Sequence, residues 1–159
     1  MEFAFLDPLQ ARQELLQCVQ LCRQRMGPTR LSKVIKTLQL HRYRLLLVAR
    51  EQETVVGFKL GFAERPKIFH SWLGAVAEAW EGRGVARRLM ELQHQHLFEQ
   101  GFTRVRTGTR NRFRRMLILN LKCGFDLVGI KQRSNGEAHL QLEKRLTRNL
   151  EPAPESPSP

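Results

Sequence analysis

The densest chemistry in the sequence lies in Glu81-Gly82-Arg83-Gly84-Val85-Ala86-Arg87-Arg88. It follows the apolar run Ser71-Trp72-Leu73-Gly74-Ala75-Val76-Ala77 and opens a segment of helical periodicity. A strand, a glycine-bearing loop and a helix start together make an anion site. Glycines let backbone approach a ligand, the first N–H groups of a helix have no intrahelical partner, and the helix dipole adds positive potential. Arg83, Arg87 and Arg88 bring full charges, so a pyrophosphate is the natural guest. The dinucleotide fingerprint G-x-G-x-x-G fails, because Arg87 stands where the third glycine belongs. The Walker pattern fails as well, since no Gly-Lys-Ser/Thr is present. Taken alone, the stretch also reads as a tight turn between a strand and a helix.

Other reactive side chains have plainer readings. His94 and His96 are two apart on a helix, point to different faces and make no zinc pair. Cys18 and Cys22 share a helix face with Leu15, Val19 and Met26, a core stripe. Arg110, Arg112, Arg114 and Arg115 cluster at a helix start as a solvated face that steers anions. Trp72 and Trp80 read as packing or pocket wall, and Tyr43 is the single tyrosine. No metal site is expected.

The elements that must position these residues follow from periodicity and turn signals. Glu2 to Leu6 is a short strand. Asp7-Pro8 then opens a helix, with Asp7 as N-cap and Gln10 as the capping-box partner, and Gly27-Pro28 stops it. Ser32 caps a second helix with Val34, Ile35 and Leu38 inward. Leu45–Arg50 and Val55–Phe62 form a hairpin, and Ile68–Ala77 is the next strand. Gly84–Gln100 is helical, Thr103–Thr109 is a strand, and Arg112–Cys123 is a helix closed by Gly124. Phe125–Ile130 and Ala138–Leu146 are strands around Asn135-Gly136, a hairpin signal. The order β-α-α-β-β-β-α-β-α-β-β predicts an α/β (mixed α+β) layer protein. Strand alternation puts His70, Trp72, Gly74 and Val76 on one side.

With two motifs at these places in the element order, the sequence resembles the GNAT superfamily of N-acetyltransferases over Glu2 to about Leu146. Gly84 and Ala86 match the small positions of the family's pyrophosphate loop, Q/R-x-x-G-x-G/A, and Glu81 stands where Gln or Arg is usual. Downstream, Asn111 and Met116–Phe125 look like the second motif, N-x-x-A-x-x-L-Y-x-x-x-G-F, with Gly124-Phe125 matching and Asn120 in the tyrosine's place. The run resembles bacterial members of unassigned substrate. The resemblance implies a central mixed, largely antiparallel sheet of about seven strands flanked by about four helices. It implies acetyl-CoA as co-substrate and a primary amine, of a small molecule or a peptide, that attacks directly. It would place the cofactor against Ala75, Val76, Ala77, Glu81, Gly82, Arg83, Gly84, Val85, Ala86, Arg87, Asn111 and Asn120. The Val76 backbone N–H would then be the oxyanion donor. Asn120 cannot protonate the leaving thiolate as a tyrosine can, but it can donate a hydrogen bond to the sulfur. His70 and Glu64 are the candidates for the base, and Cys123 reads as a core thiol.

Composition frames this reading. The chain has 159 residues, one domain's worth, and 42% are hydrophobic, enough for a core. Residues 1–150 are expected to form the single domain and 151–159, rich in Pro and Ser, a disordered tail. The net charge of +12 favours polyanions. It argues for an acidic or phosphate-bearing acceptor over a polyamine. Three cysteines form an odd, sparse set that suits a reducing cytoplasm, and the N-terminal residues carry no secretory pattern. No membrane partner is expected, and the protein is expected to be a monomer or homodimer. Two competing functions follow from the same residues. One is a nucleic-acid-binding module, which the 8% of aromatics, not interleaved with the basic run, argues against. The other is a non-catalytic acyl-CoA sensor, supported by Glu81 and Asn120.

Overall fold

A computed structural model describes residues 1–148, so the expected tail at 151–159 lies outside the described residues. The chain runs β1 (Glu2–Leu6), α1 (Arg12–Arg25), α2 (Leu31–Gln39), β2 (Arg44–Glu51), β3 (Thr54–Arg65) and β4 (Ile68–Val76). After one 3-10 turn at Glu78–Trp80 come α3 (Val85–Glu99), β5 (Arg104–Arg110), α4 (Arg114–Lys122), β6 (Asp126–Gln132) and β7 (Ala138–Arg145). The seven strands form one sheet in the order β1-β2-β3-β4-β5-β7-β6. Every neighbouring pair is antiparallel except β4 and β5. The expected fold class and element order are those observed.

Two cores sandwich the sheet. On one face, Leu15, Cys18, Val19 and Cys22 of α1 and Val34 and Leu38 of α2 pack on Leu46, Val48, Phe58 and Leu60. On the other, Leu89, Met90 and Leu97 of α3 cover Leu47, Phe69, Val105 and Leu142, and α4 adds Leu117 and Leu119. Central strands buried on both faces read as nearly continuous apolar runs, as Leu45–Ala49 and Val55–Leu60 do.

Two helix starts differ from expectation. Asp7 does not cap α1. Its carboxylate accepts the Leu9 N–H at 2.8 Å and faces Arg44 at 3.3 Å. Its carbonyl takes the amides of Gln10 and Ala11. The aspartate therefore closes a separate turn, and α1 begins at Arg12 after Ala11. Ser32 likewise lies inside α2, whose cap position is Arg30.

The strand that matters most, β4, carries a bulge. Its register with β3 passes from Leu60↔Leu73 to Gly61↔Ser71, which leaves Trp72 as the extra residue. A bulge shifts the side-chain alternation by one residue. His70 and Trp72 both lie against Phe62, with ring centroids 5.5 and 5.7 Å away, on the α1/α2 face. Leu73 and Ala75 take that face after the bulge, while Val76 turns toward Val85 and Leu89 of α3. The expectation that His70, Trp72, Gly74 and Val76 share one side is thus corrected: the first two do, the last two face the other way.

Gly61 makes room for this kink. A Cβ there would fall on the His70 carbonyl oxygen and 2.6 Å from the Phe69 ring. Gly61→Ala is expected to destabilise the fold by about 1–3 kcal/mol, the usual cost of overpacking. Urea denaturation measures it, and an unchanged midpoint at unchanged slope would contradict the account of the bulge.

Candidate functional site

The parallel pairing of β4 and β5 covers only Ile68–Ser71 against Arg104–Thr107. Thr107 Oγ1 donates to the Ser71 carbonyl at 3.0 Å and closes the base of the pair. Beyond it the strands part, and a cavity of about 950 Å³ opens between them. Ala77 N–H donates to the Val56 carbonyl at 2.8 Å. N–H groups of an antiparallel strand alternate between its edges, so Ala75 and Ala77 face β3, and Gly74 and Val76 aim their amides into the cavity.

The mouth is built from the loop into α3. Gly82 and Gly84 adopt φ of +70° and +79°, and a Cβ at either would meet nothing within 4 Å. The first helical bond runs from Arg88 N–H to the Gly84 carbonyl at 3.0 Å. The amides of Val85, Ala86 and Arg87 therefore have no intrahelical acceptor. Arg87 and Arg114 line the cavity and form no ion pair among the described residues. Glu81 does not stand there as a bare negative charge. Its carboxylate is paired with Arg25 from α1 and, at 3.2 Å, with Arg115 from α4. Arg83 stacks over Trp80 at 5.1 Å, and neither Arg83, Ala77 nor Asn111 is among the lining residues. The basic cluster is thus divided: Arg110 and Arg112 pair with Glu137 at 3.3 and 3.4 Å.

Deeper in, Asn120 is only 3% exposed and lines the cavity from α4. His70 lines it from the α1/α2 face. Burial pushes the His70 pKa down; Glu64 opposes this, and His139, His41 and Arg106 add to it. The imidazole is therefore neutral at neutral pH and able to accept a proton. Glu64 is exposed at the end of β3, 3.8 Å from Arg106, and does not line the cavity. Cys123 packs beside the second core.

Sequence reading missed three titratable lining residues. His139 reaches the cavity from β7 and covers Gly108. Arg25 arrives from the end of α1 to hold Glu81. Lys59 enters from β3, and only this one left a signal: a single charge inside Val55–Phe62, an otherwise apolar strand. Lys59 also belongs to a basic group with His94 of α3 and Lys144 of β7. Lys144 Nζ lies 3.3 Å from His94 Nδ1. Burial, and then Lys144 and Lys59, hold the His94 pKa well below the usual histidine range.

A mixed sheet parted at its parallel pair, with a free strand edge inside and a glycine loop on a helix N-terminus at the mouth, defines an acyl-coenzyme-A-dependent transferase scaffold. Residues 12–125 match the acetyltransferase (GNAT) family. The chain belongs to that family and is an acetyltransferase. Its fold is similar to that of an IAA acetyltransferase from Bacillus cereus ATCC 14579, with TM-score 0.74 and 19% identity, covering 91% of this chain and 99% of that one. It is also similar to the ribosomal-protein-S18-alanine N-acetyltransferase from Escherichia coli, with TM-score 0.78 and 14% identity, covering 94% and 98%. An aminoglycoside 6'-N-acetyltransferase complexed with coenzyme A aligns with TM-score 0.77 and 13% identity, covering 95% and 100%. No curated protein matches the sequence.

The buried His94 gives stability a pH dependence of known sign. In the unfolded chain a histidine takes a proton below about pH 6.5; in the folded protein His94 resists it. The unfolded state then binds more protons, so stability falls as pH drops from that value toward the folded pKa. Urea midpoints at pH 7 and pH 5 are expected to differ more for the wild type than for His94→Gln. Equal differences would contradict the burial argument.

Proposed function

We propose that the enzyme transfers the acetyl group of acetyl-CoA to a primary amine by direct attack of the neutral amine on the thioester. The observation that carries this reading is the Val76 N–H, aimed into the same parted-sheet cavity whose mouth holds the unpaired amides of α3. The residues at the mouth fit a pyrophosphate: three free amides, Arg87 and Arg114, and two glycines whose missing side chains leave its space open. The pairing of Glu81 with Arg25 and Arg115 removes the repulsion that a free carboxylate would exert there.

Acetyl-CoA supplies an acyl carbon already activated by a thiol leaving group. The amides of Gly74 and Val76 bind the pantetheine arm as an added strand would be bound. The Val76 N–H donates to the carbonyl oxygen as negative charge gathers on it. His70, neutral and on the acceptor face, accepts the proton of the attacking amine directly or through water, with Glu64 behind it as a second acceptor. Asn120 donates a hydrogen bond toward the sulfur. Among the described residues Glu81 is the only carboxylate lining the cavity, and it is already paired. That disfavours polyamine acceptors and favours an acceptor that is neutral overall or carries an acidic group. We read the setting as cytoplasmic from the sparse, odd set of cysteines.

Isothermal titration with acetyl-CoA and with free coenzyme A is expected to give one-to-one binding with Kd of about micromolar order, and Gly84→Glu is expected to abolish it. Absence of binding would overturn the reading. Binding without turnover across a broad amine panel would replace it with that of an acyl-CoA sensor. With a productive amine, kcat/KM should fall on the acid side as His70 takes its proton, at a pH lower than that of an ordinary histidine because burial lowers the His70 pKa. His70→Gln should lose about 10²-fold in rate together with that acid limb. A retained limb would move the base to Glu64 or elsewhere.

A further inference from the structure

Lys59 is a charge in a place that should exclude one. It lies mid-strand on β3, between Phe58 and Leu60, both buried, and its side chain faces α3 and α4. Gly74 of β4 stands directly opposite. A Cβ on Gly74 would be 3.7 Å from Lys59 Cγ, so the lysine runs across β4 where that strand has no side chain. Lys59 lines the cavity, as Val76, Met116 and Asn120 do. Among the described residues Lys59 forms no ion pair and no side-chain hydrogen bond. A largely buried cation without a partner is costly, which makes the cavity's far end a place where transient negative charge is stabilised. The phosphates' arginines are at the mouth, so another anion is wanted here. In the reaction proposed above, the anion that forms inside the cavity is the coenzyme A thiolate.

We propose that Lys59 is the proton donor to the departing thiolate, the task that a tyrosine in place of Asn120 would perform. The inference rests on the acetyl-transfer reading. The amine nitrogen bonds to the thioester carbonyl carbon and the C–S bond breaks, the sulfur keeping the electron pair. The Lys59 ammonium gives the sulfur its proton, the surplus amine proton leaves to His70 or water, and solvent in the open cleft returns a proton to Lys59. Burial lowers the ammonium's pKa to about 8, with Cys123 opposing. That is close to a thiol's value of about 8.5, so the proton passes between nearly matched groups. The titratable groups facing Lys59 are Cys123, just past the end of α4, and His94 of α3, the latter kept neutral by burial and in contact with Lys144 of β7. Its register partners on β2 and β4 are Leu47 and Gly74, neither of which titrates.

The test titrates the thiolate of free coenzyme A bound to the protein, by its ultraviolet absorbance, which needs no acceptor amine. In the wild type the bound thiol is expected to ionise about one pH unit below the free one. Lys59→Met should bind coenzyme A within about threefold of the wild type and lose most of that shift, while Cys123→Ser should keep it. With a productive amine, Lys59→Met should lower kcat about 10²-fold at unchanged KM for acetyl-CoA. Lys59→Arg, which keeps the charge but holds its proton too tightly to give it up, should keep the thiolate shift without recovering kcat. A bound thiol that ionises alike in the wild type and Lys59→Met, or full recovery of kcat in Lys59→Arg, would overturn the proposal. Failure of the wild type to bind coenzyme A at all would instead overturn the acetyl-transfer reading beneath it.

Discussion

The parting of β4 from β5 is the constraint on which the rest of this structure depends. Buried backbone N–H and C=O groups need partners, and four residues of parallel pairing are all that β5 supplies to β4. The bulge at Trp72 turns β4 away from β5 just past the Thr107–Ser71 hydrogen bond. What remains is a strand edge with Gly74 and Val76 amides facing a cavity rather than another strand. A sheet ordinarily hides such an edge. Here α1, α3, α4 and β7 wall it instead, so the edge is protected from other chains yet open to an extended ligand.

Charge is arranged around that opening in two different ways. Away from it several arginines are held by carboxylates: Arg44 by Asp7, Arg50 by Glu2 and Glu14, Arg104 and Arg106 by Glu143. At the mouth, Arg87 and Arg114 keep their charge for a guest. These two charges stand where a helix N-terminus already attracts an anion, and the two effects reinforce each other.

Element order, the glycine loop and Asn120 were legible in the sequence because each rests on local signals: periodicity, Gly at positive φ, and spacing to Gly124-Phe125. What escaped was set by register and by long-range pairing. No local signal marks the extra residue at Trp72, and that one residue reversed the facing of Gly74 and Val76. Asp7 looked like a cap because Pro8 and Gln10 follow it, but Arg44, distant in sequence, competes for its carboxylate. Glu81 looked repulsive toward phosphate for the same reason: Arg25 is 56 residues away. Lys59 alone was visible and unread, as a charge breaking an apolar strand.

The bulge also separates the two proton-transfer tasks of the proposed reaction. His70 precedes the bulge and lies on the α1/α2 face beside Phe62; Lys59 lies on the α3/α4 face beneath Gly74. The sheet stands between them, and the parted strands are the passage through it. In the proposed reaction, groups held on opposite faces exchange protons through the reacting atoms rather than directly. The opposite burial arguments also serve each role: desolvation keeps the imidazole unprotonated and ready to accept, and the same desolvation loosens the lysine's hold on its proton. Under the proposed reaction, a lysine so placed relieves the helix that carries Asn120 of supplying an acid, and an amide that only orients the sulfur would suffice there.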